Sequence, residues 1–194
     1  MSRVLVLRHG ESTANVAGII VSRPGPRALV EVGLTDRGRE QARAAAEASG
    51  LGADAILVTS DFARAAETAR EFADVLGAAE PIIDRRLRER SFGIFEEGPA
   101  AAYAQVWAAD AAGEHPGDGV ETTLDVAARA LAALADARAS AQSSGGAPVV
   151  LVAHGDVLQI LLTVAAGEPA RSHRSQPHLG NAELREIPAA RPGA

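Results

Sequence analysis

Cysteine and lysine are both absent from the 194 residues. Without cysteine there are no disulfides, no thiolate metal sites and no cysteine nucleophile. Without lysine there is no Schiff-base chemistry and no Walker-type phosphate lysine, so every fixed positive side chain is a guanidinium. Aromatic residues make up only 3% of the chain, which leaves the core to aliphatic side chains. Long apolar runs are missing too. Val157 to Ala166 is interrupted by Gln159 and Thr163 and falls short of the roughly 20 residues a membrane span needs. Met1-Ser2-Arg3 leads into only four apolar residues, Val4 to Leu7, too few for a signal-peptide core. The expectation is a cytoplasmic protein with no membrane partner. No basic block stands out against 25 acidic residues and a net charge of -6, so no nucleic-acid partner is expected.

Alanine is abundant, at 43 residues, and supplies nearly half of the 47% hydrophobic fraction. A buried alanine removes little apolar area from water, so the core is expected in a few aliphatic runs. The excess of alanine, together with 19 arginines, reads as compositional bias for most individual positions. The length fits one domain over residues 1–187, followed by a Pro-, Ala-, Arg- and Gly-containing disordered tail at 188–194. Oligomeric state is left open between monomer and homodimer.

Three aliphatic runs read as buried parallel strands: Val4 to Leu7, Ala55 to Val58 and Val149 to Val152. Pro81 to Ile83 reads as a weaker strand, and Ala182 to Ile187 alternates like a half-exposed edge strand. Helical patterns lie between them. Thr35 caps one running to about Ser49, and Ser60 caps another that Gly77 closes. A third runs from about Pro99 to Ala111. A fourth starts near Thr122 and is predicted to turn Leu124, Ala128, Leu131 and Leu134 inward. A fifth follows Gly155. The alternation predicts a three-layer α/β/α sandwich with a mostly parallel central sheet and an antiparallel edge strand.

Ligands of open α/β sheets bind beyond the carboxyl ends of the strands. Arg8-His9-Gly10-Glu11-Ser12 follows the first strand, Thr59-Ser60-Asp61-Phe62-Ala63-Arg64 the second, and Ala153-His154-Gly155-Asp156 the run at 149–152. Two histidines and two arginines therefore converge on one sheet edge. Guanidinium forks match phosphate oxygens, and neutral imidazole is a nitrogen nucleophile. The helix after Gly155 would add its N–H groups and positive dipole end. This combination suits phosphoryl transfer.

Arg8-His9-Gly10-Glu11-Ser12 with Asn15 resembles the signature of the histidine phosphatase superfamily, the phosphoglycerate-mutase-like group. Leu34 to Ala42, Ser60 to Ala69, Leu87 to Gly93 with Glu97-Gly98, Gly119 to Thr122, and Val152 to Gly155 are similar to further family motifs, in family order. The resemblance implies a phosphohistidine nucleophile at His9, with Arg8, Arg64 and His154 neutralising the phosphoryl group. It implies Glu89 as general acid and then base, and Asn15 as a phosphate or substrate contact. It implies no metal ion or cofactor and a small phosphorylated substrate. Pro99 to Asp118 contains no arginine, which favours a phosphatase over a phosphoglycerate-type mutase. A protein phosphohistidine phosphatase and a non-catalytic phosphate-binding regulator compete with the phosphatase as well. The 16–33 loop is expected to shape the pocket, with Arg23 or Arg27 meeting a second anionic group. His173 and His178 are read as loop residues without a third metal ligand, and Tyr103 and Trp107 as core or pocket wall.

Overall fold

The computed structural model describes residues 3–187, and the tail expected at 188–194 lies outside them. The aliphatic runs form β1 (Val4–Arg8), β2 (Ile56–Thr59), β3 (Ile82–Ile83) and β4 (Val149–Ala153), and the alternating segment supplies β5 (Leu184–Glu186). The helices are α1 (Thr13–Ala17), α2 (Asp36–Ala48), α3 (Ala63–Leu76), α4 (Tyr103–Ala112), α5 (Thr123–Ser143) and α6 (Gly155–Ala165). Strand order is β3-β2-β4-β1-β5. All pairings are parallel except that of β5 with β1. The mostly parallel sheet with an antiparallel edge strand is as the alternation predicts.

Side chains of a strand alternate between faces, and the two faces here bury different helices. Val4, Val6, Val149 and Leu151 share a core with α5 and α6. Leu7, Leu57, Val150 and Val152 share another with Ala46 of α2 and Ala69 and Phe72 of α3. The two clusters make the three layers.

The inward face of α5 differs from the expected one. Leu124 and Leu131 are 73% and 41% exposed, and Ala128 is exposed as well. Leu134 faces inward as expected, and the rest of the buried face is Thr123, Val126, Ala127, Ala130, Ala133, Ala137 and Ala141. Small side chains let the helix lie close to the sheet, and the larger leucines are left outside. Alanine is therefore core material in this chain, against the expectation that it counts for little.

Ser60 does not cap α3. Phe62 holds the cap position in extended conformation, and the Ser60 hydroxyl accepts from the Phe62 N–H at 3.2 Å. The segment from Pro99 opens as a 3₁₀ turn, Ala100–Ala102, before α4 begins. Thr122 caps α5 as expected, accepting from the Asp125 N–H. Among the described residues no helix is long and apolar enough to cross a membrane.

Candidate active site

β1 and β4 are neighbours in the sheet although about three-quarters of the sequence separates them. Their pairing continues past the strand ends. The His9 N–H donates to the Ala153 carbonyl at 2.9 Å, and the Ser60 N–H donates to the Val152 carbonyl at 3.1 Å. The loops after β1, β2 and β4 are thus locked side by side. The rings of His9 and His154 meet edge to face, 5.3 Å between centroids.

His9 Nδ1 lies 2.7 Å from the Gly10 carbonyl, which can only accept. Nδ1 therefore carries the hydrogen and Nε2 the lone pair, which accepts from Arg64 Nε at 3.3 Å. Burial, reinforced by Arg64 and Arg8, keeps the imidazole well below its usual pKa and hence neutral. Gly10 has no room for a side chain, because a Cβ there would sit 2.3 Å from the Gly38 carbonyl oxygen at the start of α2. Its N–H donates to Thr68 Oγ1 at 3.0 Å. The loop that carries His9 is thereby wedged between α2 and α3.

Arg64 stands in the first turn of α3 and is buried. Its Nη2 donates to the Val21 carbonyl at 2.9 Å. Arg8 Nη1 donates to the Leu179 carbonyl at 2.7 Å. The Ser60 hydroxyl accepts from Phe62 and has His154 Nε2, at 3.0 Å, as the acceptor within reach of its own hydrogen among the described residues; donation there puts the hydrogen of His154 on Nδ1. Arg8 Nε, Arg64 Nη1 and His154 Nδ1 are buried and have no hydrogen-bond partner among the described residues. Unpartnered buried donors are rare and call for an acceptor. Three of the four unpartnered buried nitrogens belong to groups beside His9; the fourth, His173 Nε2, lies 3.4 Å from Asp156 Oδ1.

Glu89 follows the 3₁₀ turn Arg85–Leu87 and lines the same cavity. Burial raises its pKa to about 7, helped by the charge of Asp156 and opposed by Arg64 and Arg8. The loop is held from behind by Arg129 of α5, which donates to the carbonyls of Arg88 at 2.7 Å and Glu89 at 3.3 Å. Glu121 braces that guanidinium at 2.7 and 2.9 Å. Arg129→Gln should lower kcat about tenfold with little change in KM, because it loosens the Glu89 loop without touching the phosphoryl donors. Steady-state kinetics on one phosphomonoester checks this, and a change confined to KM would refute it.

Asn15 also lines the cavity. Its Oδ1 accepts from the Ser12 N–H at 3.0 Å and from Asn181 Nδ2 at 3.2 Å, leaving its own amide hydrogens for the cavity. The 16–33 loop contributes Ile19 and Val21 to the wall, but not Arg23 or Arg27. Arg23 Nη2 donates to the Gly93 carbonyl at 3.0 Å, and Arg27 pairs with Glu97 at 3.2 Å on the outside. The helical turn Arg27–Glu31 buries Ala28 in a cluster with Val21 and Phe62, so it packs as structure. Sequence reading missed Arg174 and Asp156. Tyr103 and Trp107 form wall, as their spacing suggests, and His178 sits there with them. His173 is not a loop surface residue: it is buried, with Nε2 3.4 Å from Asp156 Oδ1.

The family model of the histidine phosphatase superfamily (branch 1) matches residues 4–193. The chain belongs to that superfamily. Over 199 residues it is 32% identical to the glucosyl-3-phosphoglycerate phosphatase of Mycobacterium tuberculosis, covering 95% of this chain and 84% of the relative. It is 31% identical to a probable phosphoglycerate mutase of Photorhabdus laumondii, covering 90% of this chain and 79% of that one. A mycobacterial glucosyl-3-phosphoglycerate phosphatase solved as a complex with VO3 superposes with a TM-score of 0.79 at 30% identity, covering 96% of this chain and 90% of that structure. The protein is accordingly a hydrolase, a phosphatase of the histidine phosphatase superfamily. In this histidine phosphatase, Arg8, His9, Arg64, Glu89 and Asn15 all face one cavity of about 200 Å³, with His154 packed against His9 behind it.

Proposed function

We propose that this histidine phosphatase hydrolyses small phosphomonoesters in two steps, through a phosphohistidine on His9 and without a metal ion. The observation that carries the reading is the set of unpartnered donors, Arg8 Nε, Arg64 Nη1 and His154 Nδ1, gathered around a neutral imidazole whose Nε2 carries the lone pair. A phosphoryl group supplies the acceptor oxygens those donors lack. The VO3 held by the mycobacterial relative is an oxyanion of the same kind.

In the first step Nε2 of His9 attacks phosphorus. The N–P bond forms, the bond from phosphorus to the ester oxygen breaks, and Glu89 gives its proton to the leaving oxygen. In the second step the Glu89 carboxylate takes a proton from water. The water oxygen attacks phosphorus, the N–P bond breaks, and inorganic phosphate leaves with Nε2 again carrying its lone pair. Positive charge from Arg8 and Arg64 stabilises the equatorial oxygens, and the His154 N–H and the start of α6 add dipoles. A pKa of about 7 lets Glu89 serve as acid and then base near neutral pH.

A panel of phosphomonoesters assayed in excess chelator tests this reading, beginning with glucosyl-3-phosphoglycerate because the M. tuberculosis relative is named for it. The expected result is undiminished activity in chelator and an acid-labile, base-stable phosphoenzyme on quenching. Activity lost in chelator and restored by a divalent cation would overturn the mechanism. So would turnover with no phosphoenzyme under single-turnover conditions.

A further inference from the structure

Three guanidiniums line the cavity, those of Arg8, Arg64 and Arg174. None of them forms an ion pair with a carboxylate among the described residues, whereas Arg39, Arg86, Arg88, Arg90 and Arg129 all do. Arg8 and Arg64 belong to the phosphoryl cradle. Arg174 stands apart, on the turn Ala170–Ser175 that follows α6.

Every partner that fixes Arg174 is neutral. Its face lies over the Trp107 ring, 3.8 Å from the centroid. Its Nη1 donates to Oε1 of the fully buried Gln159. Trp107 is fixed in turn: its Nε1 donates to Asp156 at 2.8 Å, and the Tyr103 ring stacks on it at 5.4 Å and 8°. Arg174 is half-buried and feels the Asp156 carboxylate only at longer range, behind Trp107, so its guanidinium has no directly bonded anion and gains when one joins it.

His178 bridges the two cations. Its Nε2 lies 3.2 Å from Arg8 Nη1, and its Nδ1 lies 3.4 Å from Arg174 Nη2. A neutral imidazole has one acceptor nitrogen, so one of these contacts sets a ring N–H against a guanidinium N–H. Partial desolvation of the exposed ring and the charges of Arg8 and Arg174 oppose the charged form, in which both contacts would be repulsive. An anion at this point would accept from Arg174 and His178 together. It would lie one imidazole away from Arg8 and hence next to the phosphoryl group.

We propose that Arg174, assisted by His178, determines specificity by binding a second anionic group on the leaving alcohol, so that the preferred substrates are phosphomonoesters bearing a carboxylate or a second phosphate a few bonds from the ester oxygen. This rests on the phosphomonoesterase reading above. It places the specificity cation after α6, rather than on the arginine-free segment Pro99 to Asp118 or at Arg23 and Arg27.

Trp107 is the single tryptophan of the chain and lies under Arg174, so its fluorescence reports occupancy of this subsite. The titrations use His9→Ala protein, which cannot form the phosphohistidine. The ligands are 3-phosphoglycerate, 1,3-propanediol bisphosphate, glycerol 3-phosphate and inorganic phosphate. At least one of the first two should bind about tenfold or more tightly than glycerol 3-phosphate and change the Trp107 emission. Which one does so tells whether the second anion is a carboxylate or a phosphate. Adding Arg174→Gln should bring the three esters to within about threefold of one another, with Arg174→Lys in between. Equal binding of the neutral and anionic esters to the His9→Ala protein overturns the proposal. So does an Arg174→Gln effect that weakens inorganic phosphate as much as the anionic esters. These are binding measurements, so a protein that selects the second anion but hydrolyses nothing would sink the phosphatase reading and leave this one standing.

Discussion

His9→Ala should lower kcat by at least about three orders of magnitude on every phosphomonoester that the protein turns over. In the proposed mechanism the group removed supplies the lone pair that forms the covalent bond, and no neighbour replaces it. His154 Nε2 accepts from Ser60 at 3.0 Å, and its Nδ1 carries the hydrogen. Removing a nucleophile from an intact site leaves only the catalysis that charge and positioning provide. The same variant should still bind phosphate and vanadate, because Arg8 Nε, Arg64 Nη1 and His154 Nδ1 remain. Steady-state kinetics and an equilibrium titration with vanadate separate the two statements. A variant that retains a tenth of the wild-type kcat would assign the nucleophile elsewhere.

Glu89→Gln should cost about two to three orders of magnitude in kcat on alkyl phosphates, and far less on p-nitrophenyl phosphate. The alkyl leaving group needs a proton and the nitrophenolate does not. Wild-type kcat/KM on the alkyl ester should fall as pH rises through about 7, since the carboxyl of the free protein then loses the proton it must give. The variant should show no such limb. Equal losses on the two substrates would contradict a general-acid role.

The same shift has a consequence for stability. The folded-state pKa of Glu89 lies above the ordinary value of 4.5, at about 7, so folding favours its protonated form. The associated stability is fully present below pH 4.5 and is lost as pH rises through about 7. At pH 8 the folded protein holds a poorly solvated carboxylate, which costs about 2 to 3 kcal/mol. Glu89→Gln should therefore be more stable than wild type to urea at pH 8 and no more stable at pH 4. Equal stabilities at pH 8 would show that the carboxylate is well solvated.

The strand ends that carry His9, Arg64 and His154 were legible in the sequence because β-branched runs mark buried strands. Chemistry-bearing residues follow each run directly. The inward face of α5 was not legible in the same way. Hydrophobic periodicity weights Leu124 and Leu131 over alanine, yet the close packing of the helix on the sheet selects alanine. The misplacement of Arg23 and Arg27 has a similar origin. The length of the loop near the site suggested the cavity, but Arg23 is taken up by the Gly93 carbonyl and Arg27 by Glu97. Arg174 was invisible for the opposite reason. Its setting is assembled from Trp107 on α4, Gln159 on α6 and His178 beyond the 3₁₀ turn, and no local pattern joins them.

The strand order also bears on how the protein is made. β4 lies between β1 and β2, yet it is synthesised after both and after all the helices but α6. A nascent chain that ends before Val149 has β1 and β2 with no strand between them, each with an unsatisfied edge facing the gap. Closure of that gap must await a segment more than 140 residues downstream of β1, a high-contact-order step of the kind that slows folding. The segment that fills it ends in Ala153-His154-Gly155. One late strand thus joins β1 to β2 and at the same time brings His154 to His9, with only the edge strand β5 of the sheet still to follow.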